Sequence, residues 1–286
     1  MTDDAARQGR LAEIKEMARR AFPDIGALRG VWRPKKGIDV SVADAVLIAV
    51  TVACAGFAVL FFVAQGLSPH MPIFAGQDLT LYREATSRWL TGGPYYLPEQ
   101  LTGEPYEIRF GAVLYPPLAF VLFVPALILP SVLWWAIPLG VTSLMVASLR
   151  PARWTWPLIA LCLAYFPTSQ LIWAGNPAMW MMAALAVATR WRPAAAFVFL
   201  KPSLAPFAFF GARDRRWWAL TAGLALVSIA LMPLDLQWLT AVSNARGDQS
   251  GVLYSLRDVP LLSIPLIAWV GRSALTNGER HEGLFT

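Results

Sequence analysis

The stretch RWRPAAAFVFLKPSLAPFAFFGARDRR, from Arg190 to Arg216, decides how this chain folds. Its apolar middle has arginines at both ends and a single lysine, Lys201, at its centre. Arginines flanking membrane segments favour the cytoplasmic side, so both ends are expected inside. The 18 residues from Ala194 to Gly211 must then enter the bilayer, turn and return. At about 1.5 Å per helical residue, each arm reaches only partway across a core of about 30 Å. Lys201-Pro202 falls at the tip. A lysine at membrane depth is costly unless it meets water or an anion, and a non-helical tip there must line a cavity or be buried in protein. The expectation is a polar pocket inside the membrane with a cation at its floor. The alternative is one ordinary span whose lysine snorkels to the interface.

Composition agrees with a membrane setting. The chain of 286 residues is 57% hydrophobic and only 15% charged, which excludes a soluble enzyme and leaves no soluble domain to carve out. The net charge of +6 is not a nucleic-acid signal, because the basic residues lie beside apolar segments, where they set topology. Cys54 and Cys162 both fall in apolar stretches and read as packing residues. His70 and His281 are far apart, and no Cys/His cluster has metal-ligand spacing. Residues 1–40 form a polar tail holding nine of the 24 Lys and Arg residues, expected in the cytoplasm, with no cleaved signal peptide visible. Leu11, Ile14, Ala18 and Phe22 recur there at near-helical spacing, as in a helix on the inner membrane surface or in a plain solvated helix.

The membrane domain is expected over residues 41–272, with a cytoplasmic tail at 273–286. Val42–Gly66 is the first span. Residues 67–111 form an external polar loop, in which Asp78–Leu90 reads as a short helix with Asp78 as a candidate N-cap. Leu79, Tyr82, Thr86 and Trp89 would turn toward the bilayer. Ala112–Pro130 contains Pro116, Pro117, Pro125 and Pro130. Ser131–Leu149 and Trp154–Ala174 follow as spans, then the short Ala178–Thr189, the Lys201 hairpin, and a span from Trp217 to Leu234. A second external segment covers 235–258, and Val259–Gly271 closes the domain.

Parity decides the proline-rich region. If 112–130 and 131–149 both cross, Arg150, Arg153, Arg190 and Arg192 lie outside and the positive-inside pattern is lost. If 112–130 only dips into the outer leaflet, 18 of the 24 Lys and Arg residues are cytoplasmic. The remaining six are Arg83, Arg88, Arg109, Lys201, Arg246 and Arg257. This second topology gathers Asp78, Tyr82, Arg88, Tyr115, Asn176, Gln249, Ser250 and Arg257 on the external side, above or around Lys201. The expected protein is all-α and polytopic, in the inner (plasma) membrane, with its site facing outward.

The loop GQDLTLYREATSRWLTGGPYY and the later FGAVLYPPLAFVLFVPALILP resemble the first external loop of GT-C glycosyltransferases. The resemblance is to the bacterial polyprenol-phosphate-mannose-dependent mannosyltransferases, glycosyltransferase family 87. It rests on Asp78 with Tyr82 four residues on, Gly92-Gly93-Pro94-Tyr95, and Tyr115-Pro116-Pro117-Leu118. Lys201-Pro202 fits the family's hairpin. Gly175-Asn176-Pro177 lacks the glutamine of the family's Gly-Gln-x-Asn element. Asp248-Gln249-Ser250 with Arg257 resembles a late Asn-Gln-Ser segment followed by Arg. The resemblance runs from about Val42 to Arg257, and the chain is short for the family, as for a minimal enzyme or one needing a partner membrane subunit.

The resemblance implies a GT-C-like helix bundle, with an external loop helix and short or re-entrant helices around an intramembrane cavity. It implies inverting transfer of a sugar from a polyprenyl phosphate to a lipid- or glycan-linked acceptor. The lipid-linked donor is then a substrate, and no cofactor or metal is expected. Asp78 would be the general base. Tyr82, Arg88, Tyr115, Asn176, Lys201, Gln249, Ser250 and Arg257 would bind substrate, Lys201 and Arg257 compensating the leaving phosphate. Each has a simpler reading: Asp78 as a cap, the tyrosines as interface aromatics, Asn176 as a helix start, and Arg257 paired with Asp258. The rival function is a non-catalytic lipid-binding subunit or a small transporter, although no internal repeat is visible.

Overall fold

A computed structural model of the chain describes residues 42–67, 75–104, 106, 111–245 and 256–272. The N-terminal tail, Arg109, Arg246, Gln249, Ser250 and residues 273–286 lie outside the described residues. The described structure is mostly helical (79%) with no strand among those residues, so the all-α expectation holds. Two helices, Val42–Ala64 and Ser131–Ser148, are long and apolar enough to cross a membrane, and up to four spans result if each of two bent helix pairs counts as one. This points to membrane association.

Helix α1 (Val42–Leu67) packs along α5 (Thr155–Ala164), and its outer face is apolar and exposed. Helix α2 (Gln77–Leu90) carries the early acidic residue. The proline-rich region forms a 3-10 turn, Pro117–Ala119, and the short α3 (Phe120–Ala126). Ten helical residues reach about 15 Å, half of a hydrocarbon core of about 30 Å. Helices α4 (Ser131–Ser148), α5, α6 (Phe166–Ala174) and α7 (Ala178–Ala188) follow.

The Trp154–Ala174 segment is one apolar run in sequence, yet it bends by 63° between α5 and α6. Pro167 has no N–H to give to the carbonyl four residues back. Ser169 Oγ donates to that carbonyl, Leu163 O, at 2.8 Å. The segment expected to end at Leu234 also differs. Helix α8 (Arg215–Ala230) turns by 85° into α9 (Met232–Asn244), which runs well into the expected polar segment. Pro233 is tolerated in the first turn of α9, where its N–H would be unpaired anyway. Ser228 Oγ donates to Asp235 across the bend at 2.7 Å.

Helix α7 is the centre of the fold. Its sequence AMWMMAALAVA is apolar on every face, the pattern of a helix buried all round. It packs on α4, on α10 (Val259–Val270) and on the Lys201 hairpin. The hairpin has two short arms. The first, Arg192–Leu200, is a 3-10 helix of 9 residues, about 18 Å long at about 2.0 Å per residue. Its alanines 194–196 are buried and let it lie close to α7. The second arm is built from Pro202–Leu204, Ala205–Ala208 and Phe209–Gly211. The chain breaks at Lys201, which is extended at φ −125 and ψ 94. A residue before proline is pushed out of the helical region, so Pro202 places the break. At the base, the space a Cβ on Gly211 would need is taken by the Arg192 carbonyl and the Trp217 ring. Glycine there lets the two arms close side by side.

Candidate functional site

The site begins where α6 ends. Gly175 terminates α6 in the left-handed region at φ 73, a conformation glycine takes without a Cβ penalty. The carbonyls released by the helix end are collected from elsewhere. Trp134 Nε1 donates to Gly175 O and Trp135 Nε1 to Ile172 O, both at 2.7 Å. The Gly76 N–H donates to Trp173 O at 3.0 Å. That last bond fixes the start of α2 beside the α6–α7 junction, and so sets Asp78 next to Asn176.

Asn176 joins the site together. Its Nδ2 donates to Asp78 Oδ2 at 2.6 Å. Its Oδ1 accepts from the Ala178 N–H at 3.0 Å, from Tyr115 OH at 3.3 Å and from Lys201 Nζ at 3.4 Å. Three donors on the oxygen and a carboxylate on the nitrogen leave one sensible orientation for the amide. Asn176 lies one residue before Pro177, the N-cap of α7, and its side chain holds a carboxylate and an ammonium in register.

Asp78 is not an N-cap. Gly76 holds that position, with no side-chain cap, and Asp78 lies in the first turn of α2 with its carboxylate turned to Asn176. Burial pushes its carboxyl above the usual value, and Asp258 adds to this, while the Asn176 hydrogen bond and Lys201 pull the other way. The expected lipid-facing stripe of α2 also faces inward. Leu79, Tyr82 and Thr86 are buried, and Trp89 stacks on Phe120 at 4.3 Å. Tyr82 stacks on Phe123 at 4.5 Å and meets Tyr115 edge-on at 5.1 Å. The tyrosines are parts of the core, not an interface belt.

Lys201 is buried, as the hairpin reading requires, but it is not a bare cation. Its Nζ pairs with Asp258 Oδ2 at 2.5 Å, with side-chain exposures of 11% and 5%. It also lies 5.4 Å from the centre of the Tyr115 ring. Asp258 is the counter-ion of a residue 57 positions away in the chain. Gln77, Asp78, Gln170, Asn176, Lys201, Arg257 and Asp258 line one cavity of about 180 Å³. Gln77 Oε1 is buried and has no hydrogen-bond partner among the described residues.

Arg88 is not part of this cavity. Its guanidinium donates to Pro94 O at 2.6 Å and Tyr95 O at 3.0 Å, tying the Gly92-Gly93-Pro94-Tyr95 turn to α2. The same loop is pinned by buried Gln100, which donates to Val113 O and to Tyr106 OH, and by Asn244 of α9, which donates to Gln100 O at 2.9 Å.

A second cavity, of about 340 Å³, opens beside the hairpin. Val121 and Leu122 of α3, Ile137 and Val141 of α4, Met181 and Val187 of α7, and Phe197 and Leu200 of the first arm are among its almost wholly apolar walls. It reaches Leu200, the residue before Lys201. The proline-rich region contributes only Val121 and Leu122; α4, α7 and the hairpin supply most of the walls.

Sequence reasoning missed Asp258, Gln77 and Gln170. Only Asp258 left a signal: a buried lysine demands an anion, and this aspartate opens the last apolar run. No protein-family model, curated protein or solved structure matches the chain.

Proposed function

We propose that this chain is a membrane glycosyltransferase of GT-C type, moving a sugar from a polyprenyl phosphate to a lipid- or glycan-linked acceptor on the outer face of the inner (plasma) membrane. The observation that carries this reading is the convergence of Asp78, Asn176, Lys201, Arg257 and Asp258 on one small cavity, with a separate apolar groove whose lining includes Leu200, the residue before Lys201 in sequence. An anionic head with a long apolar tail has both of its parts answered there.

In the proposed reaction Asp78 takes the proton of an acceptor hydroxyl. The oxygen attacks the anomeric carbon, the bond from that carbon to the phosphate oxygen breaks, and the configuration inverts. Negative charge grows on the leaving phosphate. Lys201 and Arg257 stand where they can stabilise it, in surroundings of low dielectric where such contacts gain strength. Asn176 keeps the carboxylate and the ammonium at a fixed separation. The apolar groove holds the isoprenoid tail. Mannose as the sugar rests on the sequence resemblance alone, and the outward-facing topology rests on the distribution of Lys and Arg.

The experiment is a donor panel with purified protein in nanodiscs. Turnover of one lipid-linked sugar, and of no soluble nucleotide sugar, is the expected result. Turnover of a nucleotide sugar alone overturns the class. Activity is expected to persist in chelator. Lipid phosphate binding with no turnover of any donor would point instead to a lipid-binding subunit without catalysis.

A further inference from the structure

Lys201 has no donor to spare. An ammonium carries three N–H bonds and no acceptor. Asp258 takes one at 2.5 Å, Asn176 Oδ1 lies at 3.4 Å, and the face of Tyr115 covers a third side at 5.4 Å. A phosphate that reaches this ammonium must therefore replace a neighbour. Asn176 is poorly placed to yield, because its oxygen also serves Tyr115 and the Ala178 N–H and its nitrogen holds Asp78. Tyr115 is fixed by Tyr82 and Phe123, at 5.1 and 5.6 Å between ring centres, and its carbonyl accepts from Tyr96. Asp258 is the neighbour that can be exchanged. It sits at the start of α10 but makes no capping bond to that helix. It is also the anion of the three, so an incoming phosphate repels it and not the others.

We propose that Asp258 occupies the position on Lys201 that the lipid phosphate takes, and that the phosphate binds by exchanging with it. The inference rests on the lipid-phosphate reading above and adds a residue that sets specificity. The exchange asks the ligand to bring an anion in return for the one displaced. A neutral polyprenol with the same tail cannot do so. Between ligands, the exchange keeps Lys201 from being an uncompensated charge at membrane depth.

The test is binding of a polyprenyl monophosphate to wild-type protein, Asp258→Asn and Lys201→Ala in nanodiscs, with the matching polyprenol as control. Asparagine keeps the size and can still accept a hydrogen bond from Lys201, but it carries no charge. Asp258→Asn should bind the phosphate about tenfold tighter, as when removing the competitor raises the competent fraction from about one in ten toward unity. Equal or weaker binding overturns the exchange while leaving the lipid-phosphate reading intact. Wild-type protein that binds the phosphate no better than the polyprenol removes that reading and the exchange with it. Should Asp258→Asn not fold, wild-type protein supplies a second readout. With the polyprenyl phosphate bound to wild-type protein, the structure should show Asp258 Oδ2 withdrawn from Lys201 Nζ and a phosphate oxygen in its place. Asp258 still paired with Lys201 beside the bound phosphate overturns the proposal.

Discussion

In the proposed reaction Asp78 and Lys201 carry the chemistry, and their surroundings make the consequences of changing them specific. Asp78→Asn keeps the shape and can still accept from the Asn176 amide, so the fold should survive. Transfer should fall by roughly the 10²–10⁴-fold that general-base help contributes, measured as turnover with the preferred lipid donor. Activity within a few-fold of wild type would exclude Asp78 as the base. The raised carboxyl of Asp78 gives a sign for pH. The base must be ionised, so activity should be lost as pH falls, and at a higher pH than for an ordinary aspartate. Stability runs the opposite way. A carboxyl raised by folding contributes stability below its unfolded value that is lost as pH rises through its folded one, so Asp78→Asn should not destabilise the protein at neutral pH. Lys201 needs more care. Lys201→Ala strands the buried Asp258 carboxylate, and breaking a buried pair costs about 3–5 kcal/mol. The double change of Lys201→Met with Asp258→Leu removes both charges and should recover much of that stability, read as Tm, without recovering donor binding. Across single variants the expected order of donor affinity is wild type, Lys201→Arg, Lys201→Ala, because a planar guanidinium fits a site shaped for an ammonium only in part. Recovery of donor binding in the double variant would contradict the role given to Lys201.

The elements differ in how far their sequences reveal them. The hairpin was readable because its signals are local: arginines at both ends, a length too short for two full crossings, and a proline directly after the lysine. Gly211 tests it. An added Cβ meets the Arg192 carbonyl and Trp217, and overpacking costs about 1–3 kcal/mol. Gly211→Ala should lower Tm, while Gly223→Ala, with nothing within 4 Å of the added carbon, should not. Equal Tm for the two would mean that the hairpin does not close at its base. Helix α9 was not readable, since Pro233 serves equally as the end of one helix and the first turn of the next. The inward face of α2 was hidden for another reason. Leu79, Tyr82 and Thr86 at helical spacing state that one face is apolar, and not whether lipid or protein covers it. The Asp258 pairing was hidden by proximity, because the neighbouring Arg257 offered a local partner. The partner from the hairpin, Lys201, lies 57 positions back in the chain, beyond the reach of a local pattern.

On the scale of the molecule, bonds far apart in sequence turn the segments into a site. Trp238 Nε1 donates to Leu114 O at 3.0 Å, and Tyr106 OH to Ala241 O at 3.2 Å. They fasten the loop that carries α2 over the α8–α9 bend, and such contacts leave no trace in a local pattern. Orientation across the membrane is a separate matter that labelling can reach. With Cys54 and Cys162 replaced, a single cysteine at position 150, 190 or 213 should react only from the cytoplasmic side, and one in the loop after α1 only from outside. Labelling of position 150 from outside in intact cells would contradict the topology. The central claim, a lipid phosphate held at Lys201 beside Asp78, has one direct measurement: a structure with a polyprenyl phosphate bound. The phosphate should lie within hydrogen-bond distance of Lys201 Nζ with its tail in the groove lined by Leu200, Phe197 and Met181. A phosphate bound away from the Asp78–Lys201 cavity would contradict it.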